Sequence, residues 1–255
     1  MARKIIVVGM HRSGTSAVAG WLDKCGINMG HSQLGLNQNN SKGHFEDLDI
    51  LEFHKNLAKN RNIHNWKIYN NFQSNWSNDE SAFIRELIFE KDSSNAQWGF
   101  KEPRTCLYLN EWIKVLPDAT YLFVYRHYSE VSKSLVNREI RNYLNRYNLK
   151  LKNKYVNMLA SLLFIRINSY LRMWKFYNYQ IITFFPKVKK NAFCLEFKDF
   201  EFRKNELIYF LRKSGFNLES IEDETGFVNM NLLTSSMNLK DHEADHIYNQ
   251  LLSFK

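Results

Sequence analysis

An arginine and two glycines stand at the end of an apolar run in residues 4–16, KIIVVGMHRSGTS. The β-branched residues predict a buried strand, and the helix expected to begin at Thr15 would point its unpaired N–H groups and its positive dipole end at the turn. Gly9 and Gly14 have the spacing of a phosphate-binding loop, but threonine follows Gly14 where nucleotide-hydrolysing loops have lysine. The sequence therefore predicts an anion at this turn, with Arg12 as the cation beside it.

Two more predicted strands end in basic residues. The strand TYLFVYR ends at Arg126, and Ser134 follows eight positions later in the next predicted helix. The segment KEPR, residues 101–104, closes the strand WGFKEP and supplies Lys101 and Arg104. Because ligands of an open parallel sheet lie beyond the carboxyl ends of its strands, we expect these side chains near the crevice of the glycine turn.

The loop and the Arg–Ser pair together resemble a known family. Arg12 followed by SGTS resembles the 5′-phosphosulfate loop of the sulfotransferases that use 3′-phosphoadenosine 5′-phosphosulfate (PAPS), and GMHRSGTS is most similar to their bacterial and carbohydrate-type members. Arg126 and Ser134 match the arginine and serine with which this family binds the 3′-phosphate. KEPR resembles its KDPR-type segment, which implies that Lys101 reaches the transferring group and that Arg104 holds either substrate charge or local backbone. The resemblance covers about residues 4–140. The basic RKG segment of cytosolic members has no counterpart in GFVNMNLLTSS, so the groups that complete the 3′-phosphate pocket stay open.

The resemblance implies metal-independent transfer of a sulfuryl group from PAPS to an acceptor hydroxyl, with adenosine 3′,5′-bisphosphate (PAP) as product. Arg12 and Lys101 would stabilise the charge that grows on the bridging oxygen. The segment KGHFED, residues 42–47, resembles the family's acidic segment and makes Glu46 the first candidate for the base and His44 the second. Capping of the next helix is an equal interpretation of Glu46. The implied donor-binding residues are Arg12, Ser13, Gly14, Thr15, Ser16, Arg126 and Ser134.

The expected partners are the donor and an acceptor whose identity the sequence leaves open. Resemblance favours a carbohydrate hydroxyl, while a lipid-linked saccharide, a peptide tyrosine and a small alcohol remain alternatives. No specific nucleic acid and no membrane span are expected, and the oligomeric state is open.

Apolar strands that alternate with helices surround these residues. Strands are predicted at residues 4–9 and in WGFK, TYLFVYR and NAFCLEF. Helices are predicted just after Glu46 and at residues 15–25, 81–92, 106–116, 129–144, 155–180, 205–215 and 241–253. This alternation predicts an α/β fold in which a P-loop NTPase-like parallel sheet is flanked by helices in three layers, the sulfotransferase fold. We expect a single domain over residues 1–255.

The composition limits the class of protein and of partner. A chain of 255 residues with 44% hydrophobic content can bury a full core. Its net charge of +9 and its pI near 9.3 favour acidic partners. Three cysteines without a CxxC pair predict reduced, buried thiols. Neither a signal peptide nor a membrane helix is apparent, so a soluble, cytoplasmic protein is expected.

Other segments support competing interpretations. The polar stretch 60–80 carries Trp66, Tyr69, Phe72 and Trp76, which would contact a ligand or pack beneath a long loop. HEADH, residues 242–246, matches the HExxH pattern of zinc proteases, although little chain follows it to supply a third ligand.

Two alternative functions remain. A P-loop nucleotide or sugar kinase would use the same glycines, but it needs a lysine and a Mg²⁺-binding carboxylate that the motifs lack. A non-enzymatic module that binds polyanions would use the net charge and the basic run from Arg138 to Lys154, which is otherwise a solvated helix face or a wall of the acceptor cleft.

Overall fold

Four parallel strands form the central sheet of the described chain. The computed structural model describes residues 2–30, 46–61, 72–147, 166–219 and 236–255. The strands are β1 (Arg3–Val8), β2 (Gln97–Lys101), β3 (Thr120–Tyr125) and β4 (Ala192–Glu196), in the order β2-β1-β3-β4. Because β1 lies between β2 and β3, the carboxyl ends of those two strands flank the residues that follow Val8.

Helices cover both faces of this sheet, as the alternating pattern predicted. Those in the described ranges are α1 (Thr15–Lys24), α2 (Leu48–Asn60), α3 (Asn78–Ser94), α4 (Leu109–Val115), α5 (Tyr128–Arg146), α6 (Ile167–Val188), α7 (Phe200–Lys213) and α8 (His242–Leu252). The three-layer α/β prediction is thereby confirmed. The single domain over residues 1–255 stays a prediction.

The two faces of β1 belong to two separate cores. Ile5 and Val7 pack with α1 and α7, while Ile6 and Val8 pack with the remaining helices in a larger, aromatic-rich core. Successive side chains of a strand point to opposite faces, so a strand covered on both sides must be apolar throughout. This is the physical reason for the uninterrupted run IIVV, which is fully buried.

Two predicted helix boundaries were wrong. The segment 106–116 was predicted as one helix, but a 3₁₀ helix, Pro103–Leu107, precedes α4. Pro103 has the fixed φ of a first helical position, and the Glu102 side chain accepts a hydrogen bond from the Arg104 N–H, so a separate short helix starts there.

The helix predicted at 155–180 is α6 in its described part. It continues to Val188 through Pro186. The proline lies in the last turn, where it removes a single backbone hydrogen bond, and the buried Phe184 and Phe185 hold that turn against the core. Residues 155–165 lie outside the described residues.

The three cysteines are free and buried, as predicted. Burial raises the pKa of the Cys25 and Cys194 thiols to about 12. Within the described ranges, no helix has the length and apolar character needed to cross a membrane.

Candidate functional site

The turn between β1 and α1 is shaped by its two glycines. A Cβ on Gly9 would lie 2.2 Å from the Val124 carbonyl oxygen, so only glycine lets the chain pass so close to β3. Gly14 has φ of 91° and packs on the Phe197 ring, which a Cβ would meet at 2.1 Å. Arg12 also has a positive φ, 68°. A left-handed conformation at a non-glycine residue is costly and is typical of functional turns.

The first turn of α1 faces this loop with unused hydrogen-bond donors. The N–H groups of Thr15 and Ser16 precede the first intrahelical bonds of α1, whose first acceptor is the Gly14 carbonyl. The Ser13 hydroxyl is fully buried and has no hydrogen-bond partner among the described residues. Buried polar groups are normally satisfied, so these donors fit an anion held at the helix N-terminus.

Arg12 reaches from this turn to the second predicted donor segment. Its Nε donates to the Ser134 Oγ of α5 at 2.8 Å, across 122 positions of sequence. Arg126, at the end of β3, is 5% exposed, and its Nε lies 2.5 Å from the Glu130 Oε2. The Arg126–Glu130 pair is largely buried, with 6% of the arginine side chain and 23% of the glutamate side chain exposed. The glycine turn and the segment from Arg126 to Ser134, which the sequence predicted to form one site, therefore lie next to each other.

Positive charges crowd the loop side of this site. Burial, together with the positive charges of Arg138, Arg141 and Arg126, lowers the pKa of Arg12 to about 10. Arg12 still carries its charge near neutral pH. No carboxylate of the described chain lies within ion-pair distance of Arg12, whose described side-chain partner is the Ser134 hydroxyl. A bound anion would relieve this repulsion.

His11 lies at the junction of the two sides of the site. Burial lowers its pKa well below the ordinary value, and the charges of Arg138, Arg104, Lys101 and Arg12 add to the effect. His11 is therefore neutral at physiological pH.

Lys101 and Glu46 form the other side of the site, at the end of β2. The Lys101 Nζ donates to the Glu46 Oε1 at 2.6 Å, and the lysine is 1% exposed. Burial lowers the pKa of Lys101, while the Glu46 carboxylate opposes that shift. Asp47, not Glu46, caps α2, because its Oδ1 accepts from the backbone N–H groups of Asp49 and Ile50. Capping thus does not explain Glu46, and His44 lies outside the described residues.

The sequence prediction missed two buried residues beneath this pair. Glu102 is 1% exposed, and one of its oxygens, Oε2, lies 2.5 Å from the Nδ1 of His54, a fully buried residue of α2. The other oxygen, Oε1, accepts from Arg104 Nη1 at 2.9 Å. A charged residue between an apolar strand and a proline, and a histidine on the apolar face of α2, were the signals that could have indicated this network.

The HExxH segment and the described aromatic residues of the stretch 60–80 contact other parts of the described chain. In the HExxH segment, Glu243 pairs with Lys175 of α6 and Asp245 accepts from the Tyr128 hydroxyl, while His242 and His246 are exposed. The described residues contain no group of three or more His, Cys, Asp or Glu side chains that could hold a metal ion. Within the aromatic stretch, Trp76 packs on Trp112 and Phe72 on Tyr108. Trp66 and Tyr69 lie outside the described residues.

The basic run has two parts. Arg138 is half-buried beside the site, whereas Arg141 and Arg146 are exposed. Residues 148–154 lie outside the described residues. The described part of the run therefore includes both a wall of the site and a solvated face.

Comparisons with known proteins were made by family, sequence and structure. A family model described as the sulfotransferase family matches residues 4–175. The solved structure of sulfotransferase STF9 from Mycobacterium avium is similar over 99% of this chain and 68% of that chain, with 12% identity and a TM-score of 0.51. Sulfotransferase STF1 from Mycobacterium tuberculosis H37Rv is similar over 99% of this chain and 77% of that chain, with 13% identity and a TM-score of 0.41. A search of curated proteins by sequence gives no match.

Proposed function

This chain belongs to the sulfotransferase family and has its α/β, P-loop-like fold, and we propose that it moves a sulfuryl group from PAPS to a hydroxyl group of a carbohydrate acceptor. The observation that carries the proposal is the hydrogen bond between Arg12 and Ser134. It joins the turn predicted to hold the sulfonated end of the donor to the helix predicted to hold its 3′-phosphate.

The donor would fit the loop side of the site by charge and by hydrogen bonding. The N–H groups of Thr15 and Ser16, the buried Ser13 hydroxyl and the positive end of α1 supply donors for the 5′-phosphosulfate. Arg126 and Ser134 supply the cation and hydroxyl for the 3′-phosphate. Two anionic groups on one ligand would match a cluster in which Arg12 has other arginines as neighbours.

The chemistry would take place between Arg12 and the Lys101–Glu46 pair. The acceptor oxygen forms a bond to sulfur, the bond from sulfur to the bridging phosphate oxygen breaks, and that oxygen takes the electron pair. Arg12 and Lys101 would stabilise the charge that grows there, since cations placed at a developing charge lower the barrier. Glu46 would accept the acceptor's proton, and its contact with Lys101 places base and cation together.

Ligand-dependent thermal stability tests the donor and separates the alternatives. PAP without magnesium should raise the melting temperature of the protein by several degrees at about 100 times its Kd, which corresponds to about 2.7 kcal/mol. Stabilisation by ATP with magnesium alone would favour a kinase. Salt-sensitive binding of heparin without either nucleotide would favour a polyanion-binding module.

The acceptor and the location are proposed on separate grounds. A carbohydrate acceptor is supported by the resemblance of GMHRSGTS to carbohydrate-type members. Transfer of ³⁵S from labelled PAPS to oligosaccharides, tyrosine peptides and small alcohols in parallel tests it, and a product from peptides alone would contradict it. Free, buried thiols are usual in reducing compartments, which supports the cytoplasm as the location.

A further inference from the structure

We propose that Arg104 is a further catalytic cation of this site, in contact with the sulfuryl group during transfer, and that Glu102 and His54 are positioning residues that hold it there. This inference rests on the proposed sulfuryl transfer. It concerns residues to which the sequence gave no settled role.

Arg104 lies at the edge of the sheet where the donor is expected. It follows β2, whose last residue, Lys101, is in register with Val7 of β1, two positions before the glycine turn. The 3₁₀ helix that carries Arg104 also contacts β1, the strand that leads into that turn. The charges of Arg104, Arg12 and Lys101 all lower the pKa of the buried His11, which agrees with a position of the three cations around the turn.

Glu102 fixes Arg104 through both of its carboxylate oxygens. Oε1 accepts from Arg104 Nη1 at 2.9 Å, and Oε2 accepts from the Arg104 backbone N–H at 2.9 Å. This arrangement sets the backbone and the guanidinium of the same residue with one buried anion. Arg104 keeps 18% of its side chain exposed, whereas Glu102 keeps 1%. The guanidinium therefore remains partly accessible, while its hydrogen bond to the buried Glu102 fixes its orientation.

His54 fixes Glu102 in turn. The Trp112 Nε1–H donates to the His54 Nε2 at 3.3 Å, so Nε2 must be the acceptor and Nδ1 must carry the proton that Glu102 accepts. The Tyr108 ring stacks on the imidazole with a centroid distance of 5.4 Å. A continuous chain of hydrogen bonds thus runs from Trp112 through His54 and Glu102 to Arg104.

The burial of such a chain of charged and polar groups costs free energy. Replacement of a buried ion pair by packed apolar residues is often neutral or stabilising, so stability alone is a weak reason for it. A fully connected buried network does rigidify the groups at its end. The group at its end here is a partly exposed arginine that follows Lys101 at the carboxyl end of β2, and a cation fixed in that place can act on a charge that develops during transfer.

Removal of the guanidinium tests the catalytic part of the proposal. In Arg104→Ala, kcat should fall by roughly 100-fold while the Kd for PAP changes little, because the lost contact is made during transfer. The rate is measured as PAP release from PAPS with the acceptor found by the ³⁵S screen, or with water where the screen finds none. Guanidinium chloride at low millimolar concentration should restore part of the rate. An unchanged kcat in Arg104→Ala would overturn the proposal.

Removal of the anchor tests the positioning part. Glu102→Gln keeps the shape but presents an amide N–H₂ to one of its donor partners, so kcat should fall by a smaller factor than in Arg104→Ala. In Arg104→Ala/Glu102→Gln, guanidinium should no longer restore the rate, and the two effects should be far from additive. If guanidinium restores kcat of the double variant as much as it restores kcat of Arg104→Ala, Glu102 does not hold the cation.

A third variant and a control distinguish an effect on catalysis from a loss of folding. His54→Phe keeps a ring on Tyr108 but removes the donor to Glu102, and it should reduce kcat least of the three. Lys114→Ala removes a surface partner of Glu111, with 61% of the lysine side chain exposed, and should leave kcat and the melting temperature unchanged. If Glu102→Gln does not fold, kcat of His54→Phe decides: a wild-type value would overturn the positioning role.

Failure of the proposed function gives a different result. If the wild-type protein neither binds PAP nor releases it from PAPS, sulfuryl transfer itself is wrong and the further inference falls with it. If the wild type is active and all three network variants retain its kcat, only the further inference is wrong.

Discussion

Arg12 on the loop side differs from the cations of the β2 side in how its charge is balanced, although Arg126 on the loop side also pairs with a carboxylate, that of Glu130. On the loop side, Arg12 has Arg138, Arg141 and Arg126 as neighbours and, within the described residues, a hydroxyl rather than a carboxylate as its side-chain partner. On the β2 side, Lys101 pairs with Glu46 at 2.6 Å and Arg104 with Glu102 at 2.9 Å.

This difference indicates a division of roles. A cation next to other cations gains free energy when an external anion arrives, so the loop side suits the binding of a charged ligand. Cations that already hold carboxylates gain less from binding, but their geometry is fixed, and the Glu46 carboxylate can accept a proton. The β2 side therefore suits the chemical step, and the following variants test this distinction.

The largest effect is expected from Arg12→Ala. It should lower kcat/KM for PAPS by roughly 100- to 1,000-fold, because both donor contact and charge stabilisation are lost. The melting temperature of the ligand-free protein should change little, since relief of the repulsion from neighbouring arginines offsets the lost hydrogen bond to Ser134. Steady-state kinetics and thermal unfolding measure the two quantities.

Arg203→Ala is the matched control for this variant. Arg203 donates to the Cys194 carbonyl oxygen at 2.7 Å and pairs with Glu206, away from the glycine turn. It should lower the melting temperature and leave PAP affinity unchanged. A lower melting temperature in Arg12→Ala, with PAP affinity retained, would reverse the roles assigned to the two arginines.

Glu46→Gln should have the next largest effect. Loss of the base should reduce kcat on the order of 100-fold, with PAP affinity close to that of the wild type. Glu52→Gln, on the exposed surface of α2, is the control and should change neither. Wild-type turnover in Glu46→Gln would remove Glu46 as the base and with it the chemical role of the β2 side.

A smaller effect is expected from Ser134→Ala. The hydroxyl that would bind the charged 3′-phosphate is lost, and hydrogen bonds to charged groups contribute about 1.5–3 kcal/mol, so PAP affinity should fall roughly tenfold or more. Ser132→Ala on the same helix removes a buried hydroxyl that has no hydrogen-bond partner among the described residues. Isothermal titration with PAP should separate the two serines, and equal affinities would contradict the joined donor segments.

The smallest effect is a change in pH dependence. Because burial lowers the pKa of Lys101, kcat should begin to fall with rising pH below the usual range of a lysine, as the cation is lost. The Glu46 carboxylate raises that pKa, so the alkaline limb should lie at lower pH in Glu46→Gln than in the wild type. A limb that does not move in a kcat profile measured from pH 7 to 10.5 would exclude Lys101 as its source.

The two sides also differ in how far the sequence predicted them. The glycine turn was predicted from local spacing, because Gly9, Gly14 and the helix start lie within a few residues of one another. Arg126 and Ser134 were predicted from their order at a strand end and through resemblance. On the β2 side, Lys101 and Glu46 were named singly, and their contact across 55 positions was not predicted. Glu102 and His54 were missed, because a buried charge cannot be recognised until its partner is known.

The sequence by itself determined the local elements and the glycine turn, since strand and helix periodicities and the glycines act over a few residues. Tertiary structure alone decided which side chains meet. The sheet order β2-β1-β3-β4 brings the ends of β2 and β3 to either side of one turn, and packing of α2 and α5 against that edge sets Glu46 on Lys101 and Ser134 on Arg12. Those contacts depend on strand order and burial, which no short stretch of sequence encodes.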